Sequence, residues 1–346
     1  MQALELVAPK KMEVREIPDP PEPRAGEVAV RIRAVGVCGS DMHFYLEESC
    51  AGTPASYPMV LGHEPAGEVV AVGQGVEGLK AGDRVAVEPA VSCGECEFCR
   101  AGRRNLCENV LFMGGIQRPG LLREYAVTPQ ENALKVPDSM SFATIAMVEP
   151  VAVLLHAMNL ANLRFGETVA ILGAGPIGLL ALEVAKLAGA STVVIGDKIP
   201  HRLERARALG ADQVVDVSKD SIADAARDLT HGKGVHVVFD AAGKPQSINA
   251  GIASARAGGR MVIIGIPSQE DVAVSLWPAL QAEVTITVQK RNNGNDHAAL
   301  ELIEAGKIDP VRSILSHRFP LSDGAKAFET MGAYADGIIK PLIEMP

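Results

Sequence analysis

Short alternations of apolar and polar residues fill the first 150 positions. Glu27-Val28-Ala29-Val30-Arg31-Ile32-Arg33 and Gly67-Glu68-Val69-Val70-Ala71-Val72 carry the period of two expected of strands with one buried face. Gly and Pro turns separate them. Pro18-Asp19-Pro20-Pro21-Glu22-Pro23 can continue neither a helix nor a central strand, so an exposed connector is expected there. From about Glu167 the texture changes. Apolar runs at Thr168–Leu172, Thr192–Ile195, Gln213–Val215, Val235–Phe239 and Arg260–Ile264 alternate with helical stretches at Pro176–Ala188, His201–Leu209, Ile222–Leu229 and Gln246–Arg256. Strand and helix in alternation mean βαβ units around a parallel sheet, and Val284–Val288 could close it. The tail after Arg291 returns to a mixed pattern. The expected class is α/β: a β-rich domain with a doubly wound parallel-sheet domain inserted in it.

Gly173-Ala174-Gly175-Pro176-Ile177-Gly178 sits where the first parallel strand gives way to its helix. There the first glycine permits a tight turn, the second lets a pyrophosphate approach the backbone, and the third lets helix and strand pack closely. Free N–H groups and the helix dipole then face the phosphates. Such a turn alone is weak evidence, because glycine-rich turns also occur merely as turns. Asp197, however, ends the second strand, where an acid accepts the ribose hydroxyls of NAD and repels the 2′-phosphate of NADP. Lys198 and Arg202 follow closely, and Asp197 is expected to outweigh them.

Four of the six cysteines fall in one stretch, as Cys93-x-x-Cys96-x-x-Cys99 and then Cys107. Four thiolates so spaced can close a tetrahedral zinc shell with no open position, a structural site that staples a loop. A second set is dispersed: Cys38, His63-Glu64 and Glu149. These are residue types that catalytic zinc takes, leaving one position open. By spacing alone they are equally a buried thiol, a core histidine and solvated carboxylates.

The bulk numbers set limits. A chain of 346 residues suggests two domains, and 47% apolar residues exclude a disordered chain. A net charge of −9 without clustered Lys and Arg excludes a general nucleic-acid surface. No leader pattern opens the chain, and the longest uncharged run, Thr168–Leu182, is too short to span a bilayer. A cytoplasmic protein without membrane partners is expected, with reduced cysteines.

Gly36-Val37-Cys38-Gly39-Ser40-Asp41, Gly62-His63-Glu64-Pro65-Ala66-Gly67, the four-cysteine loop and the glycine-rich turn together resemble the zinc-dependent medium-chain dehydrogenases, in order and spacing nearly end to end. Glu149-Pro150, Arg291 and His317-Arg318-Phe319-Pro320-Leu321 are most similar to the polyol (sorbitol or xylitol) dehydrogenases. The resemblance implies a GroES-like catalytic domain over 1–150 and 292–346, a Rossmann NAD domain over 151–291, and an active site in the cleft between them. It implies one catalytic and one structural Zn²⁺, a small alcohol as substrate, and a homotetramer or homodimer. The catalytic ion would take Cys38, His63 and one direct carboxylate, Glu64 being favoured with Glu149 reaching it through water. The choice between the two carboxylates stays open. Ser40 would accept the alcohol proton and pass it through the cofactor ribose to His43, while Asp41 orients His63. Phe44, Glu149 and Arg291 would line the substrate pocket. Gly173, Gly175, Pro176, Ile177, Gly178, Asp197, Arg202, Ile264, Gly265 and Ile266 would hold the cofactor.

Two departures stand out. The polyol enzymes usually carry Tyr where this chain has Phe44 and Asn292, so two hydroxyls near the substrate are missing. Cys50 receives no role. Rival readings are a relative acting on a vicinal diol, threonine or a simple secondary alcohol, and a non-catalytic nucleotide-binding protein on the same scaffold, as some lens crystallins are. Intact Cys38, Ser40, His43, His63 and Glu64 argue against the second.

Overall fold

The computed structural model describes residues 1–346. The chain divides into two compact units, Met1–Ala152 with Asn293–Gly306 and Leu315–Pro346, and Val153–Asn292 with Lys307–Ile314. The short piece 307–314 joins the second unit because Ser313 Oγ donates to Glu183 at 2.5 Å and Arg205 holds the Arg312 carbonyl at 2.8 Å.

The first unit is built on a seven-stranded sheet. At its centre lies β1 (Glu27–Gly36), antiparallel both to β2 (Glu64–Val72) and to the last strand, β3 (Lys340–Glu344). Buried Val28, Val30, Ile32 and Ala34 alternate along β1, as the sequence period requires. Between β1 and β2 comes a helix that the polar-apolar pattern did not announce, α1 (Gly39–Glu47), which buries Asp41, Met42, Phe44 and Tyr45. Asp41 explains its start: Oδ2 accepts the Cys38 N–H at 2.9 Å, satisfying the helix entry.

The second unit holds a six-stranded all-parallel sheet. Its spatial order is Gln213–Asp216, Thr192–Asp197, Thr168–Leu172, Val235–Asp240, Ala255–Ile263, Thr285–Val288. Numbered along the chain this is 3-2-1-4-5-6, the doubly wound order whose switch point lies beside the first strand. Prolines at the first turn start three of its helices, at Pro176, Pro200 and Pro245, and Ser221 caps a fourth by accepting the Asp224 N–H at 3.2 Å. Expected and observed elements agree here to within a few residues. One apolar stretch, Phe142–Ala161, is long and apolar enough to cross a membrane by length and composition, and 61% of it is buried inside the protein. It is read more simply as a core helix.

Candidate active site and metal centres

Register brings the dispersed set together. Gly36 on β1 is opposite Glu64 on β2, so Cys38, two residues beyond the end of β1, meets the His63-Glu64 pair at the start of β2. One ligand atom each of Cys38, His63 and Glu64 lies within 4.8 Å of the others. Asp41 holds this corner: Oδ1 accepts the Gly62 N–H at 3.1 Å and stands 3.4 Å from His63 Nδ1, while Oδ2 holds Cys38. Burial would raise the Asp41 carboxyl, but His63 and the two N–H donors bring it below the usual carboxylate range. Burial pulls His63 down, yet the charges of Asp41 and Cys38 carry it well above the ordinary imidazole value. A field that favours a proton on His63 favours a metal cation in its place. The Phe112 ring, 5.3 Å from the imidazole, walls one side.

Glu64 has a partner that sequence reasoning missed. Lys340, first residue of β3, donates from Nζ to Glu64 Oε1 at 2.5 Å, and both side chains are sealed, 2% and 1% exposed. Burial lowers the Lys340 ammonium, but Glu64 and Cys38 outweigh it and the net direction is up. Glu64 Oε2 is buried as well and lies in ion-pair contact with the same ammonium. A thiolate, an imidazole and a carboxylate with ligand atoms within 4.8 Å of one another are a donor set that fits zinc. Glu149, half-buried, faces the same cluster without joining it: burial and the charges of Glu64, Cys38 and Glu88 raise its carboxyl well above the usual range, against the opposing pull of His63.

The four-cysteine loop forms its own cluster, all ligand atoms within 4.8 Å. Cys93 Sγ lies 3.5 Å from Cys107 Sγ and 3.9 Å from Cys99 Sγ, and none of the four is in a disulfide. A zinc–sulfur bond of about 2.3 Å gives tetrahedral edges of about 3.8 Å, so the loop is already near the required size. Backbone N–H groups of residues 95 and 96 bring the Cys93 thiol down to about 6, whereas burial takes Cys99 up to about 12.

Residues 24–138 match the alcohol dehydrogenase GroES-like domain, and residues 176–305 match the zinc-binding dehydrogenase domain. Sorbitol dehydrogenase of Bacillus subtilis (strain 168) is 34% identical over 333 residues, which covers 96% of this chain and 93% of that one. The chain belongs to the zinc-binding dehydrogenases. D-xylulose reductase of Saccharomyces cerevisiae is 35% identical over 360 residues, covering 100% and 98%. An alcohol dehydrogenase from Thermus sp. ATN1 superposes with a TM-score of 0.92 at 29% identity over 100% of both chains.

Around the metal corner of this dehydrogenase, Ser40 Oγ stands 3.3 Å from His63 Nε2. His43, one turn along α1, has Nδ1 2.6 Å from Glu47 Oε2. Phe44 packs into the apolar core of the first unit. Arg291 and the buried Asn292 belong to the second unit, Arg291 with a left-handed φ of 55° and its carbonyl held by Gln289 at 2.9 Å.

In the second unit Gly173 has φ 96°, a conformation that suits glycine, and a Cβ on Gly178 would strike the Gly173 carbonyl. Asp197 ties this turn down: Oδ2 accepts the Ala174 N–H at 2.7 Å, and Oδ1 accepts those of Lys198 and Ile199 at 2.7 and 2.9 Å. Arg202 Nη1 stands 3.9 Å from Oδ2. Asp197 thus shapes the loop as well as presenting a carboxylate beside it. Ile264 and Gly265 donate to the Asp240 carbonyl at 2.8 and 2.9 Å, and Gly265 presses so closely on Ala242 and Gly243 that no Cβ fits. Ile266 follows directly, its carbonyl 2.6 Å from where a Gly243 Cβ would stand. Both loops lie at the carboxyl ends of the central strands, where nucleotides bind in such sheets.

Proposed function

We propose that the chain oxidises a secondary alcohol of the polyol class to a ketose with NAD, the first unit holding the metals and the second the cofactor. The observation that carries the reading is the meeting of Cys38, His63 and Glu64, whose ligand atoms lie within 4.8 Å of one another at one corner of the sheet. Similarity to a sorbitol dehydrogenase and a D-xylulose reductase over more than nine-tenths of the chain supports the polyol class. Zinc held by Cys38, His63 and Glu64 would supply Lewis acidity that lowers the pKa of the alcohol, and a bound nicotinamide would accept the hydride. Ser40, beside His63, accepts the alcohol proton. His43 relays it outward, its Nδ1 held by Glu47. Asp41 keeps Cys38 and His63 at fixed separation through the turn, so the donors need little reorganisation. Asp197 favours NAD over NADP, because a 2′-phosphate would meet its charge.

A homo-oligomer and a cytoplasmic home complete the proposal. Leu276, Trp277 and Leu280 on one helix are 67–69% exposed, and Val288 on the open edge strand of the parallel sheet is 71% exposed. An apolar helix next to an unpaired edge suits a second copy of the chain. Six free cysteines suit a reducing compartment.

Initial rates over polyols, vicinal diols, threonine and simple secondary alcohols, with NAD and NADP, test the reading. Polyols should give the highest kcat/KM, and NAD should exceed NADP. Faster turnover of threonine or a diol would move the substrate class, and equal use of both cofactors would remove Asp197 as the discriminator.

A further inference from the structure

Glu64 and Lys340 are 276 residues apart in sequence and meet across a gap in the middle strand. β1 runs between β2 and β3. Gly36 is the β1 residue opposite both Glu64 and Leu342, and it has no side chain to fill the space. A Cβ there would fall on Glu64 Oε2 and lie 3.1 Å from Lys340 Cε. The lysine is itself fixed. Ser316 Oγ accepts the Lys340 N–H at 3.1 Å and donates to its carbonyl at 3.2 Å. Val37, the neighbour of Cys38, donates to the Pro341 carbonyl at 3.1 Å. The ammonium is therefore built into the same corner as the metal donors, and it contacts both oxygens of the Glu64 carboxylate.

We propose that Lys340 is a positioning residue that makes Glu64 a weak, displaceable zinc ligand. This rests on the reading that Cys38, His63 and Glu64 hold the ion. Two anions, the Cys38 thiolate and Glu64, already match the charge of Zn²⁺, and Glu149 adds a third acid facing the cluster. A fixed cation on Glu64 offsets that excess. It contacts both carboxylate oxygens and draws charge from them, so a metal must share Glu64 with the ammonium. Glu64 can then yield its place without leaving a buried anion unpaired, because Lys340 remains its partner. Without Lys340, zinc would be the only cation left to Glu64, and the ligand would stay bound.

The test is the rate at which the purified holoenzyme releases its more labile zinc to a chromogenic chelator. Lys340→Met should slow release by about tenfold, the usual size of an outer-partner effect on a metal site. Lys340→Arg keeps a cation on both carboxylate oxygens and should leave release within about threefold of the wild type. In a Glu64→Gln background the Lys340→Met change should have no further effect. The Glu64→Gln/Lys340→Met double variant buries no charge and Lys340→Arg keeps the cation, so the assay stands even where Lys340→Met alone does not fold. Release unchanged in Lys340→Met, release slowed as much in Lys340→Arg, or a Lys340→Met effect that persists beside Glu64→Gln would overturn the proposal. A wild-type protein with only one zinc per chain would instead overturn the reading of the site on which it rests.

Discussion

The loop of Cys93, Cys96, Cys99 and Cys107 draws all its donors from one short stretch, and its first two thiols are pulled down by backbone N–H groups of that stretch. The Cys38–His63–Glu64 corner draws its donors from two strand ends and its cation from a third, and buries Glu64 and Lys340 almost completely. Local chemistry suffices for the first. The second exists only once the sheet has formed. The loop offers four soft donors of one kind, which suits a closed shell. The buried corner is crowded with carboxylates and holds a competing ammonium, which suits a shell that must open.

The largest expected difference between the two is functional. Cys38→Ser should cost about a thousandfold in kcat/KM, equivalent to about 4 kcal/mol of transition-state stabilisation, with little change in Tm. Cys96→Ser should do the reverse, lowering Tm by about 5 °C while sparing kcat/KM at low temperature. Thermal melts and steady-state rates on the two variants check this. Similar profiles for both would erase the distinction between the sites.

Within the buried corner, the two carboxylates are expected to be unequal. Glu64→Gln should weaken zinc binding by at least about tenfold in competition with a chelator, and Glu149→Gln should do so less. The three-residue cluster of ligand atoms includes Glu64 and not Glu149. The reverse order would make Glu149 the direct ligand.

The smallest expected effect separates the sites by pH. Burial first, and then the charge of Glu88, push Asp296 up to about 8, and Glu88 also bears on Glu149. A carboxyl whose pKa is raised by folding contributes stability that is fully present below the ordinary carboxylate range and is lost as pH rises through about 8. Denaturant melts between pH 6 and 9 should therefore show stability falling with pH in the wild type and falling less in Asp296→Asn. Identical slopes would remove Asp296 from the account.

What the sequence disclosed follows the same divide. The four-cysteine spacing, the glycine-rich turn and the alternation of the parallel strands are local signals, and all could be read directly. Helix α1 was hidden by its polar opening Gly39-Ser40-Asp41, which reads as a turn until Asp41 is seen capping Cys38. The helix Val148–Ala161 is apolar on most sides and so lacks the stripe that betrays a surface helix. Lys340 lay furthest from view. Its one signal was a lone cation between Ile338-Ile339 and Leu342-Ile343, an environment that lysine enters only with a partner. The partner's identity depended on strand order and on a missing Cβ at Gly36, which no local pattern encodes.

The central claim, two zinc sites of unequal lability with chemistry at one, meets its most direct test in metal content and activity followed together during mild chelation. The account predicts two zincs per chain at the start, activity falling in step with loss of the first, and a folded, inactive protein that keeps the second and regains activity when zinc is returned. Full activity in a protein with a single zinc, or activity that falls only with the second, would contradict it.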